Sequence, residues 1–248
     1  MTTIYILWLR QIKRYFRSPS RIVGSLGQPL LFMFALGFGL GPIFQRAGGG
    51  NYLNFLAPGV MAQGILFTSI FSGIELIMDR QFGFLKEILV APVSRLQIMF
   101  GRTLGGATIA VFQGIVVFFL ALLLGFRPIN WLMLPIAILI MFLIAILFTA
   151  LGTAIASPMQ DMHGFQLVMN FLVMPLYFLS GSLFPLQSAP KFLQTISRVN
   201  PFSYGVDGLR QILVGITNFG LATDMFVLGI LAGLALILGS YLFSKLQA

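Results

Sequence analysis

Six apolar runs, at about 24–44, 58–78, 103–124, 132–156, 165–183 and 224–244, occupy most of the chain. Each approaches the ~20 residues that an α-helix needs to cross the hydrocarbon core of a bilayer. Backbone in hydrocarbon must satisfy its own hydrogen bonds, and a helix does so within one segment. The runs therefore predict an all-α membrane protein with six transmembrane helices. Composition points the same way: 58% of the 248 residues are hydrophobic and only 8% are charged, which a soluble globule does not need.

The formal net charge of +9 would suggest nucleic acid in a soluble protein. Here the basic residues gather at the ends of the apolar runs, where cations meet anionic headgroups, so the expected partner is the lipid bilayer and not nucleic acid. Arg10, Lys13, Arg14, Arg17, Arg21, Arg80, Lys86, Arg95, Arg102 and Lys245 fall on one side, and Arg46, Arg127, Lys191, Arg198 and Arg210 on the other. The positive-inside rule places the first side, with both termini, in the cytoplasm of a multi-pass protein of the cell (inner) membrane. There is no cysteine and a single histidine, His163, which excludes disulfides, thiolate chemistry and Cys- or His-rich metal centres. Asp161 and His163, in the turn at 157–164, read as headgroup-level polar residues rather than a catalytic pair.

Residues 4–16 have the spacing of an amphipathic helix. Ile4, Leu7, Trp8, Ile12, Tyr15 and Phe16 share one face, while Arg10, Lys13, Arg14 and Arg17 point largely elsewhere. A basic helix with an aromatic-rich face is expected to lie in the membrane interface; each cation at the centre of a span would cost on the order of 3 kcal/mol. The start lacks the long apolar core and small-residue cleavage site of a signal peptide. Ser18-Pro19-Ser20 ends the helix, which divides the chain into an N-terminal interfacial segment, 1–20, and a transmembrane domain, 21–248.

Between the second and third runs lies a charged island, Asp79 to Arg95. Phe82, Leu85 and Leu89 recur at i, i+3 and i+7, with Phe84 and Ile88 beside them, which predicts a helix of about three turns with an apolar stripe. Arg80, Lys86 and Glu87 fall mostly off the stripe, and Pro92 disfavours helix at the residue before it. Such a segment is either a loop resting on headgroups or a docking helix for a soluble partner.

Opposite it, 184–223 is too polar to span and too apolar for a free loop. Phe192, Ile196 and Val199 mark one short amphipathic helix. Asn200-Pro201 reads as a cap followed by proline at the first helical position, and Val206, Leu209, Ile212 and Leu213 mark a second. This predicts a short extracellular helix pair before the last span, dipping into the outer leaflet. Gly101-xxx-Gly105 and Gly229-xxx-Gly233 fit close contacts between membrane helices. Glu75 is the one carboxylate expected inside a span, with Gln63, Gln113, Gln166 and Asn170 as the other polar groups. An intramembrane carboxylate is a functional candidate, yet Glu75 stands one turn from Asp79 and Arg80 and can equally face headgroups or pair with a base.

The segment Phe84-Leu85-Lys86-Glu87-Ile88-Leu89-Val90-Ala91-Pro92-Val93-Ser94-Arg95, then Leu183-Phe184-Pro185, Asn200-Pro201 and Asp207-Gly208-Leu209-Arg210, resemble the ABC-2 type transporter permeases. These are the membrane halves of ATP-binding-cassette exporters, and the resemblance is to the branch with daunorubicin-type drug exporters and nodulation-factor exporters. It covers nearly the whole chain. It implies that the island is a coupling helix seated in a groove of a cytoplasmic ATPase, with Phe82, Leu85, Lys86, Glu87, Leu89 and Arg95 as contact residues. It further implies two permease copies, identical or not, above two ATPase subunits. The cargo path then runs along the first, second and fifth spans, whose candidate path or gate residues are Glu75, Phe34, Phe38, Phe67, Phe71, Asn170 and Tyr177. Their aromatic character suits an amphipathic or lipid-like substrate. Asn200, Pro201 and Arg210 belong to the extracellular helix pair.

A phosphate-cradling loop needs GxxxxGK[ST], and none of Lys13, Lys86, Lys191 and Lys245 has that context. The chain is therefore expected to be no enzyme and to hold no cofactor, with ATP bound by a partner subunit. An ion-coupled carrier would need a relay of buried acids and bases, and an intramembrane enzyme or assembly subunit a convergent catalytic set; both are rivals that the sequence supplies poorly.

Overall fold

The computed structural model describes residues 2–46, 50–85 and 93–244, and among them only helices, turns and loops occur. Helix α1 spans Thr2–Phe16. Pro19 opens α2, Pro19–Phe32, at the position where proline's missing N–H is harmless. A π-helical turn, Met33–Phe38, and a short α3, Gly41–Arg46, complete the first apolar run. That run is thus broken near its glycines rather than continuous.

Helix α4, Tyr52–Phe71, begins where the Asn51 side chain accepts from the Leu53 amide at 2.9 Å. It kinks at Ser72-Gly73 into α5, Ile74–Gln81. Helix α6, Arg95–Leu123, is capped by Ser94. After a single 3-10 turn, α7 covers Leu134–Ala156 and α8 covers Met162–Phe178, the latter capped by Asp161. The extra helices are α9, Lys191–Val199, and α10, Pro201–Val214, followed by α11, Leu221–Ser244.

Among the described residues, four apolar helices are long enough to cross a membrane: Tyr52–Gln81, Arg95–Leu123, Trp131–Ala156 and Leu221–Ser244; Ile22–Phe38 and Met162–Phe178 are shorter. Together with the composition, they make the chain a multi-pass membrane protein. Two of the long helices start well before their apolar runs, because a cap decides where a helix begins and an apolar run decides only which part prefers lipid. The 29 residues of α6 measure about 43 Å at 1.5 Å per residue, more than a hydrocarbon core of ~30 Å.

The core is centred on α4, which packs against α6, α7 and α10, while α11 packs along α7. The crossing of α4 and α7 is close: a Cβ on Gly73 would sit 2.5 Å from the Gly152 carbonyl oxygen. Glycine is required there by contact, not by backbone angle.

Helix α1, expected at the membrane interface, packs one face on protein. It runs alongside α6 in the same direction, since Leu7 meets Gly101, Gln11 meets Gly105, and Tyr15 and Phe16 meet Phe112. Its buried stripe is Leu7, Gln11 and Tyr15, whereas Tyr5, Ile6 and Phe16 are exposed. The apolar face is thus shared between protein and surroundings. Gly101-xxx-Gly105 is the groove for α1; a Cβ on Gly229 or Gly233 would meet nothing within 4 Å, so among the described residues that pair makes no close helix contact.

At the opposite end, Asn200 caps α10 through the Phe202 amide at 2.9 Å, with Pro201 first in the helix. Val206, Leu209, Ile212 and Leu213 are buried as their spacing predicts. Gly205 and Gly208 lie against Ile144 and Ile140 of α7; Ile144 is ten residues into that helix, so α10 reaches about 15 Å along it. Helix α9 is amphipathic as its spacing predicts: Phe192, Ile196 and Val199 are exposed together, and the buried residue is Ser197, which donates to Ser203 at 3.1 Å. In lipid an apolar face has no reason to turn inward, so small and polar groups take the protein contacts.

Candidate functional site: an ionic hub at the basic end

Asp79, on the last turn of α5, is buried and gathers three arginines from two other helices. Its Oδ1 accepts from Arg10 Nη2 at 2.9 Å and from Arg14 Nη1 at 3.4 Å, and its Oδ2 accepts from Arg10 Nη1 at 3.4 Å and from Arg102 Nη2. Arg102 lies on α6 with its side chain 4% exposed, while Arg10 and Arg14, on α1, retain 30% and 35%. One carboxylate thus ties together α1, α5 and α6. Removing one partner of a buried pair leaves an uncompensated charge and costs about 3–5 kcal/mol, whereas exposed pairs contribute little. The Arg102 contact therefore dominates.

Glu75, one turn earlier, is also buried and acts electrostatically on Arg10 and Arg102. Burial lowers the Arg10 guanidinium from its ordinary pKa and Glu75 acts against that shift; the group stays cationic, as guanidinium does in proteins.

The hub is built on the first residue of the charged island. The Arg10 guanidinium also lies 3.8 Å over the Phe84 ring, so one side chain joins α1, Asp79 and the island. Arg80 donates to the carbonyls of Met159 and Ser157, both at 2.8 Å, and Gln81 Nε2 to that of Gln160 at 3.0 Å. These bonds lash α5 to the turn between α7 and α8. Gly83 takes a φ of 78°, and beyond it Leu85 is buried in the core whereas Phe82 is 76% exposed. The expected stripe therefore splits, with Leu85 as anchor and Phe82 facing outward. Arg95 is half-buried at the start of α6. Lys86, Glu87 and Leu89 lie outside the described residues.

The path candidates also divide. Phe34, Phe38 and Asn170 are on exposed faces of the first run and of α8; Phe67 and Phe71 stack, half-buried, with ring centroids 6.1 Å apart. Tyr177 is buried, edge-on to Phe32 at 6.0 Å, and Glu75 belongs to the hub, so neither reaches a surface.

At the far end, the Asp207–Arg210 segment is structural. Asp207 accepts from Thr217 Oγ1 (2.9 Å), from Asn218 through its amide (2.9 Å) and side chain (2.8 Å), and from the Phe219 amide (2.8 Å), which fixes the loop before α11. Arg210, fully buried, donates to the carbonyls of Gly181 and Ser182 at 3.1 and 3.2 Å and lies 3.9 Å over Phe55. Tyr52 closes the same turn by donating to the Leu183 carbonyl at 2.9 Å.

The basic residues sorted by sequence to one side, Arg10, Arg14, Arg80 and Arg102, do meet at one end. Asp79 and Arg102 as buried partners were not legible, because Arg10 and Arg14 stand 69 and 65 residues from Asp79. The available signal was an acid flanked by apolar residues, Ile77 and Met78, in a chain with six acids against fifteen bases.

Comparison with known proteins places these features in a family. The family model described as ABC-2 type transporter matches residues 2–214. Nodulation protein J of Rhizobium leguminosarum bv. trifolii is 29% identical over 85% of this chain and 78% of its own length. Nodulation protein J of Rhizobium meliloti (strain 1021) is 29% identical over 78% and 74%. The inner membrane transport permease YadH of Escherichia coli (strain K12) is 26% identical over 90% and 87%.

Proposed function

Because the chain belongs to the ABC-2 type transporter family, we propose that it is the membrane-spanning permease subunit of an ATP-driven exporter. Two copies form the cargo path, and two separate ATPase subunits beneath them supply the energy. Six crossings complete the fold; the two 17-residue helices sit at the lower limit for a span. Both termini and the island at 79–95 face the cytoplasm, by the excess of Lys and Arg on that side, and the membrane is the inner one, as in the name of the Escherichia coli relative.

The observation that carries the reading is the pairing of an exposed Phe82 with the fixed platform behind it. A large apolar side chain held outward beside a buried ionic hub suits the apolar groove of a soluble partner. Movement of that partner reaches α5 at once and, through Asp79, α1 and α6. Lys86, Glu87, Leu89 and Arg95 supply the charged and apolar remainder of the contact. A partner shifts such an equilibrium only by binding its states unequally, so nucleotide must change the grip on this segment. The cargo is amphipathic or lipid-like, taken along the exposed aromatic faces that carry Phe34 and Phe38, with Asn170 opposite.

The chain has no cysteine, so Phe82→Cys gives a single thiol for the test. Expressed in its host and treated with a thiol cross-linker in membranes, this variant should cross-link to a P-loop ATPase subunit, with a yield that changes when ATP is added. Absence of the cross-link, or movement of cargo by an ion gradient in vesicles without nucleotidase, would reject ATP coupling in favour of a carrier.

A further inference from the structure

A cavity of about 220 Å³ lies inside the chain, between α1, α2, α4 and α6. It is half-open, bordered by Tyr15 of α1, the α2 segment at 24–29, the α4 segment at 63–71 and Gln113 of α6, and no residue of the ionic hub lines it. Helices α4 and α6 run in opposite directions there, and Gln63 and Gln113 are well inside both, so the cavity is at membrane depth. No charged side chain lines it among the described residues.

Its polar groups are unevenly used. Gln113 Nε2 donates to the Ser25 carbonyl at 2.9 Å, and its Oε1 accepts from Thr68 Oγ1. Gln63 is 1% exposed, and neither its Oε1 nor its Nε2 bonds to a protein group. A buried amide left unpaired is strongly disfavoured, so it wants a ligand that both donates and accepts. On the same helix Phe67 and Phe71 stack at an interplanar angle of 28° and form a flat apolar wall of the cavity. A volume below the ~300–1,000 Å³ of drug-sized sites admits a headgroup and not a whole amphiphile. Gly24 and Gln28, both exposed, form the mouth.

We propose that this cavity is a binding site for the neutral, hydroxyl- or amide-bearing head of a membrane-dissolved amphiphile, read by the Gln63 amide against the Phe67–Phe71 wall. The site lies within one protomer and requires neither nucleotide nor a second subunit. Its occupant is uncharged because the cavity offers no counter-charge, and a charged head would lose its hydration there without compensation.

The test uses the full chain in phosphatidylcholine nanodiscs with octyl glucoside below its micellar concentration as probe. Gly24→Cys adds a thiol at the mouth, where a Cβ meets nothing within 4 Å. Octyl glucoside should slow its maleimide labelling saturably; octyl phosphocholine and octyltrimethylammonium should not. Adding Gln63→Leu should weaken the protection by roughly tenfold in concentration, the equivalent of two lost hydrogen bonds, with the Trp8 fluorescence of the fold unchanged. Should Gln63→Leu fail to fold, the headgroup selectivity in the Gly24→Cys chain decides alone. Equal protection by charged amphiphiles, protection indifferent to Gln63→Leu in a folded protein, or no saturable protection, as for a cavity holding water only, overturns the proposal.

Discussion

Replacing Asp79 by asparagine removes one negative charge from a hub of three arginines. Arg102 suffers most, because its side chain is 4% exposed and cannot reach water. Arg10 and Arg14 keep about a third of their exposure and rehydrate, so together they contribute at most about 1 kcal/mol. Loss of one member of a buried pair costs about 3–5 kcal/mol. The amide still accepts a hydrogen bond and Glu75 still acts on Arg102, which sets the expectation at the lower end, about 3 kcal/mol, or roughly a hundredfold in the folded-to-unfolded ratio. Trp8 of α1 donates to Thr108 of α6 at 3.0 Å, so with Trp131→Phe its fluorescence reports the docking of α1. Unfolding in mixed micelles should show the loss, and Asp79→Asn with Arg102→Met should recover most of it, since an apolar residue in place of a buried charge is often neutral. A single-variant loss below about 1 kcal/mol, or no recovery in the double variant, would refute the assignment of Asp79 as the tie between α1, α5 and α6.

Other consequences are more local. Gly152→Ala places a Cβ against the Ile70 carbonyl and should destabilise by about 1–3 kcal/mol through overpacking, read as a lower thermal midpoint. Arg210→Lys cannot bond both Gly181 and Ser182 carbonyls while stacking on Phe55, and should lose at least about 2 kcal/mol in the same assay. Asp161 accepts from the Gly164 and His163 amides, which hold its carboxyl below the ordinary 3.8. Its stabilisation is therefore present above pH 3.8 and fades as pH falls through the depressed value. Asp161→Asn should remove this acid-limb dependence of the thermal midpoint while keeping the cap, and Asp161→Ala should lower the midpoint at neutral pH.

Local chemistry was the legible part of the sequence. Asn200-Pro201 states a helix start in two residues, and the Val206–Leu213 spacing states its buried face, so α10 could be read directly. Phe192, Ile196 and Val199 were legible as one face of a short helix, and that face is exposed. What a glycine pair packs against was not legible. Gly101-xxx-Gly105 and Gly229-xxx-Gly233 are identical as patterns, and only the fold shows α1 in the first groove and nothing against the second. The hub escaped for a similar reason. Asp79 reads as the edge of a polar loop until α1, from the other end of the sequence, folds over it. In the island, the spacing put Phe82 and Leu85 on one stripe, but Gly83 at a φ of 78° parts them, so Leu85 turns inward while Phe82 stays out.

The most direct test of the central claim is ATP hydrolysis by an ABC ATPase subunit that co-purifies with this chain, measured in proteoliposomes with and without the permease. The account predicts that the permease raises hydrolysis, and that Phe82→Asp or Leu89→Asp abolishes the increase without preventing membrane insertion. Hydrolysis indifferent to the permease, or unaltered by both substitutions, would contradict it.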